Sequence, residues 1–378
     1  MKKLIFILAA AFIMNGSVCF AEEQQAIAGN VKASILVEAS TGEVLSENNA
    51  DEQLPIASVT KIMTMLLIME RIDSGEMTIE DTVTASENAN SYGGSTMFLE
   101  TGEQLSVNDM LKGIAVASAN DGCVAMAEHV AGTEEAFVAM MNQKAEELEM
   151  TNTHFVNCNG LDEDGHYSSA RDVAIMSREL IKHEKIFDYT TIWMDSLRGG
   201  KFELANTNKL IKYYNGANGL KTGSTSKAGC CLSATAERDG MELVAVVLGA
   251  EDTQTRFASA SSLLNYGFSN YSLKKMTEKD EPMGEVRVSK GKAESVTAQA
   301  SEAYSILVKK SEKNEPEKIV KMKDSITAPV KQGDKLGEIV YSENGETIKT
   351  IDIVAAQDVE KKNFCLVLID LLYSLVNG

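Results

Sequence analysis

The sequence predicts an α+β fold: an antiparallel sheet flanked by helices, followed by a small all-β domain. Three observations point there. Strand patterns stand at both ends of the first 270 or so residues, and helical periodicities fill the middle, which is the order of a helix-covered antiparallel sheet and not of a parallel doubly wound one. After Tyr271 the pattern changes to short strands separated by turn signals. A chain of 378 residues is long enough for two such domains.

Residues 1–21 read as a leader outside the fold. Lys2 and Lys3 precede an apolar stretch, and small residues end at Ala21, the pattern of a secretory signal peptide. The apolar stretch is too short to span a bilayer comfortably, and Gly-Ser-Val before Cys19 lacks the leucine usual ahead of a lipid-modified cysteine. The protein is therefore expected outside the cytoplasm. The catalytic domain is expected over 22–271. VKASILVEASTGEVLSENN reads as a hairpin turning at Ser40-Thr41-Gly42-Glu43. Helical patterns follow over 58–72, 106–116, 120–131, 134–149 and 170–183. The first is apolar almost all round, as suits a helix buried inside a domain. KTGSTSKAGCCLSATAERDGMELVAVVLGA reads as two long strands joined by Arg238-Asp239-Gly240, and a helix from about Arg256 to Tyr266 closes the domain.

The region 272–360 opens on a charged, linker-like stretch and continues as a β-rich domain. The final segment, 361–378, is nearly all apolar over 364–376. As a helix that run reaches only about 20 Å, short of a ~30 Å hydrocarbon core. Asn363, Asp370, Ser374 and Asn377 fall on one helical stripe, which suits a helix lying in a membrane surface or packed back on the protein.

Composition excludes several function classes. A net charge of −19 repels nucleic acid. The six cysteines (Cys19, Cys123, Cys158, Cys230, Cys231, Cys365) have no regular spacing, become an odd set without the leader, and read as small buried hydrophobes. No Cys-x-x-Cys or His-Glu-x-x-His occurs and the four histidines lack ligand spacing, so no metal or other cofactor is expected.

The chemistry concentrates in three short motifs. Ser-x-x-Lys occurs four times, but only Ser58-Val-Thr-Lys61 opens an apolar helix. Ser-x-Asn also occurs four times, and only Ser118-Ala119-Asn120 sits where one helical pattern gives way to another. Lys221-Thr222-Gly223 is unique and follows a glycine-rich turn. A serine hydroxyl is a poor nucleophile unless a base takes its proton. Ser58 and Lys61 share a helical face, and with no histidine in the motifs Lys61 is the candidate base, kept neutral by burial. Lys221 supplies a positive neighbour and attracts an anionic substrate. Ser118 can relay a proton, Asn120 can hold Lys61 or a substrate amide, and Thr222 can bind a carboxylate. The backbone N–H groups of Ser58 and Ser224 are candidates for an oxyanion hole.

These motifs and their surroundings resemble the serine D-Ala-D-Ala carboxypeptidases, the low-molecular-mass penicillin-binding proteins of the peptidase S11 family. NADEQLPIASVTKIMTMLL, SYGGSTMFLETGEQLSVNDMLKG, THFVNCNGLDEDGHYSSARD and TRFASASSLLNYGF carry the likeness over about residues 30–270. The resemblance implies a β-lactamase/transpeptidase-like domain that removes the terminal D-alanine from peptidoglycan stem pentapeptides and is acylated by β-lactam antibiotics. It implies Ser58 as the acylated residue, Lys61 as base and Ser118 as the further catalytic group. Asn120, Lys221, Thr222, Gly223 and Ser224 would bind substrate, and Arg256 would help hold its terminal carboxylate. A membrane surface is expected to hold the terminal helix. Ala119 replaces the usual glycine and Cys158 the usual proline, neither removing a reactive group. His166 reads as a buried structural histidine. A DD-endopeptidase shares the motifs. A class A β-lactamase needs a Glu-x-x-Leu-Asn segment past the second motif, and none stands there. A non-catalytic wall-binding protein would keep the fold without acylation.

Overall fold

The structure, a computed structural model, describes residues 27–311 and 316–363. The leader, Cys19, Cys365 and the apolar run 364–376 lie outside the described residues. The chain divides into two compact units, residues 1–270 and 271–378.

The first unit is built on five strands: β1 (Ala33–Glu38), β2 (Val44–Asn48), β3 (Ala217–Thr225), β4 (Gly229–Arg238) and β5 (Met241–Ala250). Their order is β2-β1-β5-β4-β3, with every neighbouring pair antiparallel. The first hairpin turns where Gly42 takes φ 78°, and the buried Glu38 carboxylate accepts from the Thr41 N–H and hydroxyl, both at 2.7 Å. Strand β5 is apolar from Leu243 to Leu248 because both of its faces are covered there. Val244, Val246 and Leu248 join the main core, whereas Leu243 and Leu36, of the other parity, meet Gly267 on the opposite face.

Helices supply those covers. They are α1 (Lys61–Asp73), α2 (Asn120–Ala131), α3 (Glu134–Glu147), α4 (Ala170–Ile181) and α5 (Thr253–Asn270). Helix α4 packs on β5 and β1 and against α1, and α5 packs on β5 and β4. Ser169 caps α4 by accepting from Asp172 N–H at 3.1 Å, and Thr133 caps α3 in the same way through Ala136 N–H. Helix α1 is buried almost all round, as its apolar sequence requires: among its residues only Glu70, Arg71 and Asp73 reach the surface.

Two readings of the sequence change. The stretch 221–250 holds two whole strands and the end of a third, because Lys221-Thr222-Gly223 lies within β3. Gly219, taken as part of a turn, is inside the strand, where a Cβ would sit 2.8 Å from Thr235 Oγ1; close strand approach, not chain reversal, is what it permits. The pattern over 106–116 also divides. A helix over Val107–Lys112 widens into a π-type segment, Gly113–Ala117, that ends at Ser118.

The second unit is all β among its described residues. Six strands pair in one sheet and Tyr271–Thr277 pairs with Tyr304–Lys309. Its core is Val286, Val288, Val296, Ile339, Tyr341, Ile351 and Ile353, with the Tyr304 ring 4.9 Å from that of Tyr341. Among the described residues no helix is long and apolar enough to cross a membrane.

Candidate active site

Ser58 sits on a single 3₁₀ turn, Ala57–Thr60, that runs directly into α1. The tight turn places Ser58 one step outside the helix while Lys61, its first residue, points inward and is fully buried. Lys61 Nζ lies 2.9 Å from Ser58 Oγ, 2.7 Å from Asn120 Oδ1 and 2.5 Å from the Asn159 carbonyl oxygen. The Asn120 amide orientation is fixed because its Nδ2 donates to the Gly93 carbonyl at 2.7 Å. Two of the three Lys61 partners can only accept, and the third is a hydroxyl that can also donate. A neutral amine satisfies all three: its two hydrogens go to the carbonyl oxygens and its lone pair faces the serine proton. Burial pulls the Lys61 pKa below the ordinary lysine range.

Two glycines bring the remaining pieces against this turn. A Cβ on Gly160, at φ 87°, would lie 2.0 Å from the Ala57 carbonyl oxygen and 2.9 Å from Ser58 N. A Cβ on Gly223 would lie 2.8 Å from the Ile56 carbonyl oxygen and 2.9 Å from Ser58 N. The third motif thus reaches the backbone amide of the first only because it ends in glycine.

Lys221 is buried beside the pair, its Nζ donating to the Thr222 carbonyl at 3.0 Å. Burial lowers its pKa strongly and the charge of Lys61 lowers it further. Burial and the neighbouring Lys61 thus both work against a charge on Lys221. Ser118 takes a left-handed conformation, φ 64° and ψ 34°, unusual for a non-glycine residue and a mark of imposed geometry. It closes the π-type segment and leads into Asn120, whose N–H donates to the Ser95 carbonyl at 2.7 Å. Asp121 holds the facing loop through the N–H groups of Met97 and Leu99, both at 3.0 Å.

Thr222 Oγ1 bonds Thr207 Oγ1 at 2.7 Å, and Ser224 lies opposite Cys230 in the β3–β4 register. Arg256 is largely buried behind the third motif, where Nη1 donates to the carbonyls of Gly223 at 3.1 Å and Cys231 at 3.4 Å. Asn159, Gly160 and Thr207 were not singled out from sequence. The first contributes a main-chain carbonyl, the second an absence of side chain, and the third a contact set by a distant turn.

His166 lies beneath the nucleophile turn. Its Nδ1 accepts from Val156 N–H at 3.1 Å, so Nε2 carries the proton and donates to Thr60 Oγ1 at 2.8 Å. Burial pushes its pKa down to about 4. As pH falls below the unfolded value near 6.5 the unfolded chain takes up this proton first, so stability is lost between about 6.5 and about 4, by about 3 kcal/mol in all. Denaturant unfolding at pH 7 and pH 4.5 checks this: His166→Gln should lose less stability across that interval than the unsubstituted protein, and an equal loss would refute the assignment. The described cysteines, Cys123, Cys158, Cys230 and Cys231, are free and buried. Burial raises Cys123 and Cys231 to about 11, which keeps them as inert thiols. No group of three or more metal-ligating side chains is present among the described residues.

A serine hydrogen-bonded to a buried lysine, on a helix-covered antiparallel sheet, is the arrangement of the penicillin-binding class of serine acyl-transfer enzymes. Residues 20–252 match the Peptidase S11 family, D-alanyl-D-alanine carboxypeptidase, and residues 271–361 match the C-terminal domain of penicillin-binding protein 5. The chain belongs to the D-alanyl-D-alanine carboxypeptidase family. It is 46% identical to the D-alanyl-D-alanine carboxypeptidase DacF of Bacillus subtilis over 89% of this chain and 88% of that protein. Penicillin-binding protein 5 of Haemophilus influenzae superposes with a TM-score of 0.72 at 31% identity, covering 88% of this chain and 98% of its own. Penicillin-binding protein D2 of Listeria monocytogenes, solved with ampicillin bound, gives a TM-score of 0.58 at 32% identity over 63% of this chain and 97% of its own.

Proposed function

We propose that this D-alanyl-D-alanine carboxypeptidase works through an acyl-enzyme on Ser58. The observation that carries the assignment is the Lys61 amine, buried, 2.9 Å from Ser58 Oγ, and held by two groups that can only accept hydrogen bonds. Lys61 takes the serine proton as Oγ attacks the carbonyl of the penultimate D-alanine in a peptidoglycan stem peptide. The backbone N–H groups of Ser58 and Ser224 receive the oxyanion. Ser118 relays the proton to the leaving D-alanine, whose amine departs as the acyl-enzyme forms. Water then attacks the ester, and Ser58 regains its proton. Asn120 orients Lys61 and the substrate amide. The terminal carboxylate falls to Thr222, and its charge restores a proton on Lys221, which burial alone disfavours. Arg256 supports this site from behind by fixing the Gly223 and Cys231 carbonyls. A β-lactam acylates the same serine, in keeping with the ampicillin-bound relative.

D-alanine release from a peptide ending in D-Ala-D-Ala, measured with and without penicillin, tests the whole scheme; folded protein that releases none would sink it. The substrate class and the leader-like residues 1–21 together favour work outside the cytoplasm. The single polar stripe over 363–377 favours attachment to the membrane surface. Full-length chain is expected to sediment with anionic lipid vesicles and chain ending at residue 361 to stay in solution. Equal behaviour of the two would remove the terminal helix from the account.

A further inference from the structure

Helix α3 begins at Glu134, and the carboxylate of that residue ties together two loops that meet at Lys61. Its Oε2 accepts from the Tyr92 hydroxyl at 2.5 Å. Its Oε1 accepts from the Cys158 N–H at 3.4 Å and from the Cys158 thiol at 3.3 Å. Burial and the bond to Glu134 push the Tyr92 phenol up. Burial, with Cys123 and Glu134 close by, holds the Cys158 thiol well above its usual range. Both groups therefore keep their protons and both donate. Cys158 stands where proline is usual, and a proline would offer neither an N–H nor a thiol.

Each tied residue immediately precedes one of the groups that hold Lys61. Gly93 follows Tyr92, and its carbonyl accepts from Asn120 Nδ2 at 2.7 Å, which turns Asn120 Oδ1 toward Lys61 Nζ, 2.7 Å away. Asn159 follows Cys158, and its carbonyl accepts from the same Nζ at 2.5 Å. Thr64, three residues beyond Lys61 on α1, donates to the Cys158 carbonyl at 2.6 Å, so Cys158 is held at its N–H and at its carbonyl. The other loop needs its tie more, because Gly93 and Gly94 beside Tyr92 are exposed and have no side chains to anchor them. We infer that Glu134 is a positioning residue for the base: by tying Tyr92 to Cys158 it sets the spacing of the two acceptors that orient the Lys61 amine toward Ser58. This rests on the reading of Lys61 as the base. Glu134 acts through others, since its two oxygens are spent on Tyr92 and Cys158.

The test is a double-mutant cycle on the second-order rate constant for acylation by penicillin, measured as covalent labelling of the full chain over time. Glu134→Leu removes both ties. It is expected to lower the rate about tenfold when Lys61 is present, and by less than about twofold in Lys61→Met, which has no amine left to misplace. Glu134→Gln is expected to stay within about threefold of the unsubstituted protein, since its amide oxygen can accept from Cys158 and its amide N–H can reach the Tyr92 oxygen. Tyr92→Phe cuts one tie without leaving a buried donor, and is expected to slow acylation about threefold, again only with Lys61 present. It carries the test if a thermal melt shows that Glu134→Leu does not fold. Equal losses in the two backgrounds, or no loss in either, overturn the positioning role. A glutamine variant as slow as the leucine variant overturns the tie and leaves the charge of Glu134 as the active feature. Lys61→Met protein acylated at the original rate overturns instead the reading of Lys61 as base.

Discussion

Replacing Ser58 by alanine is expected to abolish D-alanine release and covalent labelling by penicillin together, with kcat/KM falling by at least about a thousandfold. The fold should survive. Lys61 keeps its bonds to Asn120 and Asn159, and the turn keeps its backbone bonds from Val59 N–H to the Ile56 carbonyl and from Lys61 N–H to Ser58. Mass spectrometry after penicillin treatment, beside a thermal melt, separates a lost nucleophile from a lost fold. Residual release near the original rate would show that water attacks directly and would end the acyl-enzyme account. The same assay separates the rivals. An endopeptidase cleaves cross-links in preference to the pentapeptide, a β-lactamase turns penicillin over instead of retaining it, and a binding protein is never labelled.

The second large effect is at Lys61. Lys61→Met removes the base and should cost about a hundredfold to ten-thousandfold in the acylation rate. Lys61→Arg keeps a positive charge but cannot lose it near neutral pH, so it should be as defective; an active arginine variant would refute proton abstraction by this residue. In the unsubstituted protein the reactive form is the neutral amine. Acylation should therefore rise with pH through the lowered lysine pKa and level off above it, the opposite of what a cationic catalyst would show. Lys221 lies close enough to couple to Lys61, so the midpoint of that rise belongs to the pair. Penicillin acylation followed by stopped flow from pH 5 to pH 9 measures it directly.

Much of this was legible in the chain. Ser58, Lys61 and Asn120 could be singled out because their side chains carry reactive or polar groups at motif spacing, and the structure joins those three through one amine. The antiparallel sheet could be read from strand patterns at the two ends of the first unit. Gly219 misled because a glycine beside an asparagine signals a turn as readily as it does two strands drawn close. The π-type widening before Ser118 left no mark, since Gly113–Ala117 continues the apolar spacing of an ordinary helix. Asn159 and Thr207 were missed for a common reason: one meets Lys61 through its main-chain carbonyl and the other meets Thr222 from a turn fixed by Asn206 and Asn208, and neither kind of contact selects a telling residue type.

The close contacts of Gly160 and Gly223 with the segment Ile56–Ser58 bear on how the protein tolerates genetic change. Neither position offers a functional group, yet each leaves no room for a methyl. A mutational scan scored by activity would rank them beside Ser58 and Lys61, and would give no sign that neither has a side chain to lose. Resistance to β-lactams by substitution at these positions is correspondingly closed, because any side chain that moved the nucleophile out of reach of the drug would move it out of reach of the peptide.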